Sequence, residues 1–527
     1  MLPPPITLSL SEYADLATIS SQTRSNWEGE LLIQQKYYNY FTGLVFSNKI
    51  PLEVGSDETN PELYPVGINL VKMLCTTQAD SLFGEWEESI VHFEPKQDIE
   101  VGQPEKDATD LASLILVSSS ANTILWENAL DREVYGGGVI KVTSIPSIPG
   151  HIKWSRVPLD CFYPIWDPDD PDILLEAYIV VPMTKEQARS RYGITTNKDI
   201  VYRVEHWTTT TYTNKIDGKE IQAFSGANPW GFVPFVFIPR IRSSYWWGDS
   251  LTEDLIRVQD ELNMRIADLG EAVNYNTHPI KWGYNLSKSF NPKNYPIGPG
   301  YFWDGGRVIG QSPEPHIEIL EAKNPIPQGT FDYISFLYDW SCTSTFTPAV
   351  ALGIDSGGGQ RSGITLEVRM QPLVRATRRS RAYMAAGLSR AMKMSALMLK
   401  QKAYSDVKAR ALESILRGDI TPRFAPLLPR DQAGIVDEVQ KGMSTKPPTI
   451  SIETAVKKLG YGTSEVERIK AMLADEDLYV RENAEIDAKK EMAEQQIELK
   501  KEQMDKKTIG MNSGSGNAPD NTEASSE

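Results

Sequence analysis

Four aspartates lie close together in one short segment: Asp167, Asp169, Asp170 and Asp172. Carboxylate oxygens are the ligands that Ca²⁺ and Mg²⁺ prefer in proteins. Two prolines interrupt the run, however, and it lacks the glycine and the terminal glutamate of an EF-hand loop. The spacing therefore favours a rigid exposed turn over a cation site. A metal-dependent nuclease built on these aspartates is the weakest hypothesis, and it would require Mg²⁺-dependent cleavage of plasmid DNA.

Other reactive residue types stand in no catalytic pattern. The glycines at 136–138 lead into VIKV without the Lys and Ser or Thr of a P-loop, so they predict a turn into a strand. Ser250 and Ser362 lie in no GxSxG elbow. The histidines are scattered without an HExxH motif: His92, His151, His206, His278 and His316. We therefore expect no catalytic residue, no metal site and no cofactor, and an enzyme is the weaker hypothesis.

Length, charge and cysteine content restrict the class of protein. A chain of 527 residues is too long for one core, so roughly two to four structural units are expected. Three distant cysteines predict neither a disulfide framework nor a zinc site and indicate a reducing, cytoplasmic setting. The sequence lacks a signal-like start and a long apolar run, so neither secretion nor membrane contact is expected. A net charge of −16 argues against a conventional DNA-binding protein, which neutralises phosphates, so any contact with DNA should be loose.

Residues 1–245 are predicted to form an α+β body. Apolar periodicity predicts helices over about 11–41, 64–83 and 107–132, and alternation predicts a strand at 139–145. The segment that follows, to residue 245, is mostly β, with one short helix that Thr184 caps and Gly193 ends.

The stretch 246–361 reads as a stalk with a tip. Leucines and other apolar residues recur at steps of four and three in a helix over 246–276, which indicates a packing stripe along one face. A Pro-, Gly- and aromatic-rich insert at 277–327 predicts short strands, and a second helix follows at 328–346. The segment 347–361 contains a proline and several glycines, so we predict a mobile loop.

Charge differs between the first stalk helix and the helix after the loop. The first is chiefly acidic, including Asp254, Asp260, Glu261, Asp268 and Glu271. In an isolated helix this is most simply a solvated face, whereas repeated around a ring it would form a negatively charged wall.

The helix predicted at 362–404 is basic and contains Pro372, which predicts a kink at 368–372. Its arginines include Arg369, Arg375, Arg378 and Arg379. Pairing with acidic residues of a neighbouring subunit is favoured over direct contact with DNA. Residues 405–507 are predicted to be helical, and 508–527 are predicted to be disordered from their composition.

Three segments in this order carry a family resemblance. WWGDSLTEDLIRVQDELNMRIADLGEAVNYNTHPIKW has a glycine-containing entry, a helix with a QDELN centre and a proline beyond it. TPAVALGIDSGGGQRSGITLEVRMQPLVRATRRSRAY is a loop that leads into a proline-containing helix, and PRDQAGIVDEVQ precedes ISIETAVKKLGY. Over residues 10–490 the chain resembles the portal proteins of tailed double-stranded DNA bacteriophages, in their siphophage-like branch.

The resemblance implies a ring, usually a dodecamer, around a DNA channel at one capsid vertex. It implies a wing at 1–245 joined by the 362–404 helix, stem helices at 246–276 and 328–346, a clip at 277–327, a channel loop at 347–361 and a crown at 405–507. The implied partners are double-stranded DNA, terminase, major capsid and scaffold proteins and head-tail adaptors. The expected location is the virion, after assembly in the host cytoplasm.

The resemblance also assigns roles to particular residues. DNA would pass closest to the channel loop, at Asp355, Gly357, Gly358, Gly359, Gln360 and Arg361. Clip aromatics would dock partners: Trp282, Tyr284, Tyr301 and Trp303. The alternative is a minor capsid or scaffold-associated structural protein without a channel.

Overall fold

The computed structural model describes residues 21–47, 67–84, 89–96, 101–242, 246–277, 280–285, 302–304, 306, 316–320, 327–354, 363–402, 408–427, 432–445 and short pieces between 449 and 472. The chain divides into two compact units, Met1–Pro429 and Arg430–Glu527. Helices and sheets are mixed, which confirms the α+β class.

The first unit contains nine of the described helices. They are α1 Ser21–Thr42, α2 Leu70–Phe83, α3 Gln103–Ser118, α4 Ala121–Tyr135, α5 Lys185–Tyr192, α6 Leu251–Thr277, α7 Gln328–Ser344, α8 Gly363–Lys402 and α9 Ala409–Arg417. In the second unit the structure describes α10 Gln432–Ser444. No helix among the described residues could span a membrane alone, although α3 and α4, bent by 75°, pass the length and composition test as a pair.

The strands form four sheets in the described part of the chain. They are β1 Val91–Pro95, β2 Gly137–Ser144, β3 Ile152–Val157, β4 Phe162–Trp166, β5 Leu174–Thr184, β6 Ile200–Thr208, β7 Thr211–Ile216, β8 Lys219–Glu220, β9 Gly226–Ala227, β10 Phe235–Pro239, β11 Ile280–Tyr284, β12 Phe302–Asp304, β13 His316–Leu320 and β14 Ile420–Phe424. The strand orders are β1-β14, β10-β2-β3, β12-β11-β13 and β4-β5-β6-β7-β8, with β9 also paired to β7.

The largest core lies between the β10-β2-β3 sheet and the helices α3, α4 and α8. Trp154 of β3 is fully buried there, and its indole Nε1 donates to Ser395 Oγ of α8 at 2.9 Å. Gly387 lets α8 approach β10, because a Cβ on it would stand 2.5 Å from Ile238 Cγ1. Helix α8 therefore belongs to the body over much of its length.

The acidic segment is a turn between β4 and β5, as the sequence predicted. Asp167 Oδ1 accepts the backbone N–H of Asp169 at 2.8 Å, and Asp172 Oδ1 contacts Arg242 at 2.9 Å and Arg390 at 2.6 Å. The carboxylates thus close the turn and hold it against α8. No group of three potential metal ligands occurs among the described residues.

The helix predicted over 107–132 is wrong in one respect, because the structure has two helices there. The chain breaks at Ser120, whose φ of 53° lies in the left-handed region. The preceding serine side chains form tertiary contacts: Ser119 Oγ accepts from Trp154 N at 2.8 Å, and Ser118 Oγ donates to Pro149 O at 2.8 Å. Serine hydroxyls that bond elsewhere compete with a continuous helix.

The described part of the predicted loop contains a short regular turn. Ala349–Leu352 form a 3-10 helix that ends at Gly353, whose φ is 76°. Leu352 packs against the cluster around α2 and α6. A proline at the start and a glycine at the end shape this short turn, whereas the prediction read them only as helix breakers.

Residues 408–427 form a helix and a strand, whereas the sequence predicted only helices over 405–507. Helix α9 packs on α3 and α8, and β14 pairs with β1 in the first unit. Pro422 lies within β14, opposite Phe93. The second compact unit therefore begins at residue 430, later than the crown limit of 405 that the resemblance implied.

Candidate functional site

The candidate site is the hairpin of α6 and α7 together with its root. The two helices pack through a small cluster in which Leu262 meets Leu337 and Leu70 of α2. The sheet β12-β11-β13 lies between them in the chain. The order of helix, small sheet and helix is the one predicted from the sequence.

The QDELN segment fastens α6 to the body. Gln259 is 1% exposed, and its Oε1 accepts the backbone N–H groups of Leu70 and Val71 at 2.8 and 3.3 Å. Its Nε2 donates to Ile68 O at 2.6 Å. The first N–H groups of a helix have no partner within that helix, so Gln259 satisfies amides at the start of α2.

Two further polar residues of the segment reach the same region. Asn263 Oδ1 accepts the N–H of Ile68 at 3.1 Å. The hydroxyl of Tyr40 in α1 lies 2.9 and 2.8 Å from the two carboxylate oxygens of Asp260. These bonds tie one helix to two others, so the motif has a structural function at the root of the hairpin.

Some carboxylates of the predicted acidic wall form ion pairs and hydrogen bonds within the chain. Glu261 accepts from Arg265 Nε at 2.8 Å and from the Tyr333 hydroxyl at 3.2 Å, and the bond from Arg265 lowers the pKa of Glu261. Arg265 also bonds Asp268 at 2.8 Å. The side chain of Glu271 lies outside the described residues, although its backbone belongs to α6.

Asp254 is a predicted wall residue whose carboxyl pKa is raised. Burial raises its pKa, the charge of Arg240 opposes the shift, and the neighbouring carboxylates of Asp249 and Glu253 add to it. Asp254 forms no ion pair with any residue that the structure describes. Whether these carboxylates face DNA stays a prediction.

Helix α7 has an outer face on the side away from α6. Phe336 and Trp340 stack there with ring centroids 6.3 Å apart, and they are 57% and 54% exposed. Asp332 and Asp339 are exposed on the same side. We call these four residues the outer face of α7.

The root of α6 crosses the end of α4 at two glycines. Gly136 has φ 88°, and its carbonyl accepts the N–H of Arg240 at 2.8 Å. A Cβ on Gly136 would stand 2.1 Å from Gly248 O, and a Cβ on Gly248 would stand 2.1 Å from Gly136 O. Beside this crossing, Ser250 Oγ donates to Val134 O at 2.5 Å and accepts from Thr252 N at 3.0 Å, which gives Ser250 a structural role.

Buried polar side chains hold the described start of the segment 347–361, which the sequence predicts to be a loop. Gln78 Nε2 donates to Thr345 O at 2.9 Å and to Thr347 Oγ1 at 2.8 Å, and both threonines are almost fully buried. Between them Phe346 adopts φ 56°, with its ring under the guanidinium of Arg379 at 5.6 Å. The remaining loop residues, Asp355, Gly357, Gly358, Gly359, Gln360 and Arg361, lie outside the described residues.

The arginines of α8 have two kinds of environment. Arg381 Nε donates to Leu82 O at 2.7 Å, and burial lowers its pKa to about 10. Arg390 bonds Asp172 and Phe237 O. In contrast Arg369, Arg375 and Arg378 are exposed, and the last two form no ion pair within the described part of the chain. Only the arginines in the first half of α8 are therefore exposed in the way that the predicted contacts with a neighbouring subunit require.

The predicted clip aromatics are only partly described. Trp282 and Tyr284 are half-buried on β11, with ring centroids 5.5 Å apart, and Tyr284 lies 4.9 Å from His316. Trp303 pairs with Trp282 through the backbone, whereas its side chain and Tyr301 lie outside the described residues.

The three cysteines of the chain are all buried. Burial raises the pKa of the Cys75 thiol to about 12 and also raises the pKa values of Cys161 and Cys342. All three thiols are therefore neutral at ordinary pH.

Sequence reasoning found α6, α7 and the QDELN segment but missed the bonds that the segment makes. The partners of Gln259 and Asp260 lie about 190 and 220 residues earlier in the chain, beyond any local pattern. Only a weak indication of the Gly136–Gly248 crossing is present in the sequence. Gly136 lies just after one predicted helix, and Gly248 lies near the start of another. In comparisons with known proteins, the chain matches no family model and no curated protein.

Proposed function

We propose that this chain is the subunit of a bacteriophage portal, a ring that forms the channel for packaging and ejecting double-stranded DNA at one capsid vertex. The ring would dock the terminase motor and later the head-tail connector proteins. The observation that carries the proposal is a helical hairpin whose second helix presents large stacked aromatic rings to solvent.

Exposed aromatic faces of this kind usually mark contacts with another protein. Helix α7 packs on α6 through one side, around Leu337, and leaves Phe336 and Trp340 uncovered. In a ring of hairpins, each outer face of α7 would be covered by the neighbouring subunit. The contact would be head-to-tail, because the outer faces of α6 and α7 differ, and repeated head-to-tail contacts that close form rings.

The charge of α6 also supports a channel. Asp254 and Asp268 are exposed on α6. Copies of such a helix around an axis would repel phosphates and keep a duplex centred, with screening over about 8–10 Å at physiological ionic strength. DNA could then move through the ring without being held.

The alternative is a minor capsid or scaffold-associated protein without a channel. It would use the same aromatic face to bind a different partner, and it would form no closed ring. The native mass of the purified chain distinguishes the two, because a portal subunit gives one large oligomer of defined size, whereas monomers or a broad range of species contradict the proposal.

A further inference from the structure

The two cations of α6 differ in how they are used. Arg265 is held within its own helix by Glu261 and Asp268, both at 2.8 Å. Arg257 is exposed and forms no ion pair with any residue that the structure describes. Helix α6 contains no other lysine or arginine. Arg257 is therefore the cation of this helix that remains available for a partner.

The outer face of α7 has the chemistry that binds a guanidinium. Phe336 and Trp340 offer two stacked ring faces, on which arginine can pack through a cation–π contact. Asp332 and Asp339 lie near the rings on the same side of the helix and are exposed, with no ion pair in the described part of the chain. Exposed aromatic rings with carboxylates beside them are complementary to an arginine, which can pack on a ring face and pair with a carboxylate.

Arg257 and this face lie at similar heights along the hairpin. The bond between Glu261 and Tyr333 shows that these two residues lie at the same height along the hairpin, which gives a reference level for both helices. At about 1.5 Å per residue, Arg257 lies about 6 Å from that level toward the root. Phe336 and Trp340 lie about 4.5 and 10.5 Å from it in the same direction, on either side of Arg257 in height.

We propose that Arg257 of one copy binds the outer face of α7 in the next copy, on the exposed faces of Phe336 and Trp340 and near Asp332 and Asp339. The inference rests on the proposed ring and names its contact. Rotation about an axis along the hairpin carries each residue to the same height in the neighbouring copy, so the arginine meets the aromatic pair.

Charge reversal tests this contact in the full-length chain. Arg257→Glu should reduce the ring fraction at fixed protein concentration by about tenfold or more, because every interface loses its cation–π contact and gains like-charge repulsion. Adding Asp339→Arg should restore rings by exchanging the charges. Arg410→Glu on α9 is the matched control, since Arg410 is also exposed, and its rings should persist. Native mass spectrometry measures all four proteins.

A double-mutant cycle distinguishes the loss of this contact from a folding defect in one variant. Arg257→Ala and Trp340→Ala should each weaken the ring, and the pair should weaken it by less than the sum of the two effects. Circular dichroism checks that each variant keeps its helices. Additive effects, or rings unchanged in Arg257→Glu, would overturn the contact while leaving the ring itself intact. Absence of rings in the unmodified chain would overturn the proposed function instead.

Discussion

Gly136 and Gly248 cross with their backbones in direct contact, and the carbonyl oxygen of each lies only 2.1 Å from the position that a Cβ on the other would take. This crossing joins the end of α4 to the segment that enters α6. It fixes where the hairpin leaves the body, so both positions require glycine for steric reasons.

Gly136→Ala should lower the free energy of unfolding by about 3–5 kcal/mol, because the new methyl group meets Gly248 O and the backbone has positive φ. Gly193→Ala is the matched control: Gly193 has φ 69° with nothing within 4 Å, so it isolates the backbone cost of about 1 kcal/mol. Urea unfolding followed by circular dichroism measures both. Equal losses in the two variants would show that the crossing contributes nothing.

Gln259→Leu should destabilise the start of α2 by about 2–3 kcal/mol. The leucine has a similar size but leaves the buried N–H of Leu70 and the carbonyl of Ile68 without their partner. Hydrogen exchange at the amides of Leu70 and Val71 should accelerate, whereas the exposed Gln328→Leu should leave them unchanged. Unaltered exchange in Gln259→Leu would refute the fastening role of the QDELN segment.

Acid should release the turn at Asp172. Burial raises the pKa of this carboxyl, but Arg390 and Arg242 outweigh it, so the net pKa is lowered. A lowered folded pKa means that the stabilisation is present above the unfolded value of about 3.9 and is lost as the pH falls through the folded value. Because Asp172 is partly exposed, we expect a contribution of only about 1 kcal/mol at neutral pH.

Asp172→Asn tests this dependence. The variant should be less stable than the unmodified chain at pH 7, and the difference should shrink as the pH falls below about 4. Asp169→Asn, which changes an exposed carboxyl of the same turn, should unfold like the unmodified chain. A difference that stays constant with pH would contradict the pairing with Arg390 and Arg242.

The acidic wall is best tested at a residue that forms no ion pair and no side-chain hydrogen bond among those described above. Replacing Asp260 would also remove the partner of Tyr40, and replacing Glu261 would remove the bond to Tyr333. Asp254→Lys avoids these bonds and should slow DNA passage, because a cation at the channel wall attracts phosphates. Packaging velocity in a reconstituted motor measures the effect. An unchanged velocity in rings of normal mass would count against the wall.

Local patterns were sufficient for the long regular elements and insufficient for contacts between distant ones. The apolar stripe from Leu251 to Val273 predicts the ends of α6 within a few residues, because the buried face of an amphipathic helix appears in the sequence as apolar residues at helical spacing. The same reasoning predicted one continuous helix through Ser120. The structure has a break there, because the neighbouring serines form tertiary hydrogen bonds. Sequence reasoning also missed the bond between Asp260 and Tyr40, because nothing near Asp260 in sequence indicates the Tyr40 hydroxyl.

The central claim is that copies of this chain close into a ring around a channel. Electron micrographs of the purified protein, averaged in end-on views, test it most directly. We predict particles of a single rotational symmetry, twelvefold or close to it by the resemblance to portals, with an open centre wide enough for duplex DNA. Compact particles without rotational symmetry or without a central opening would contradict the account.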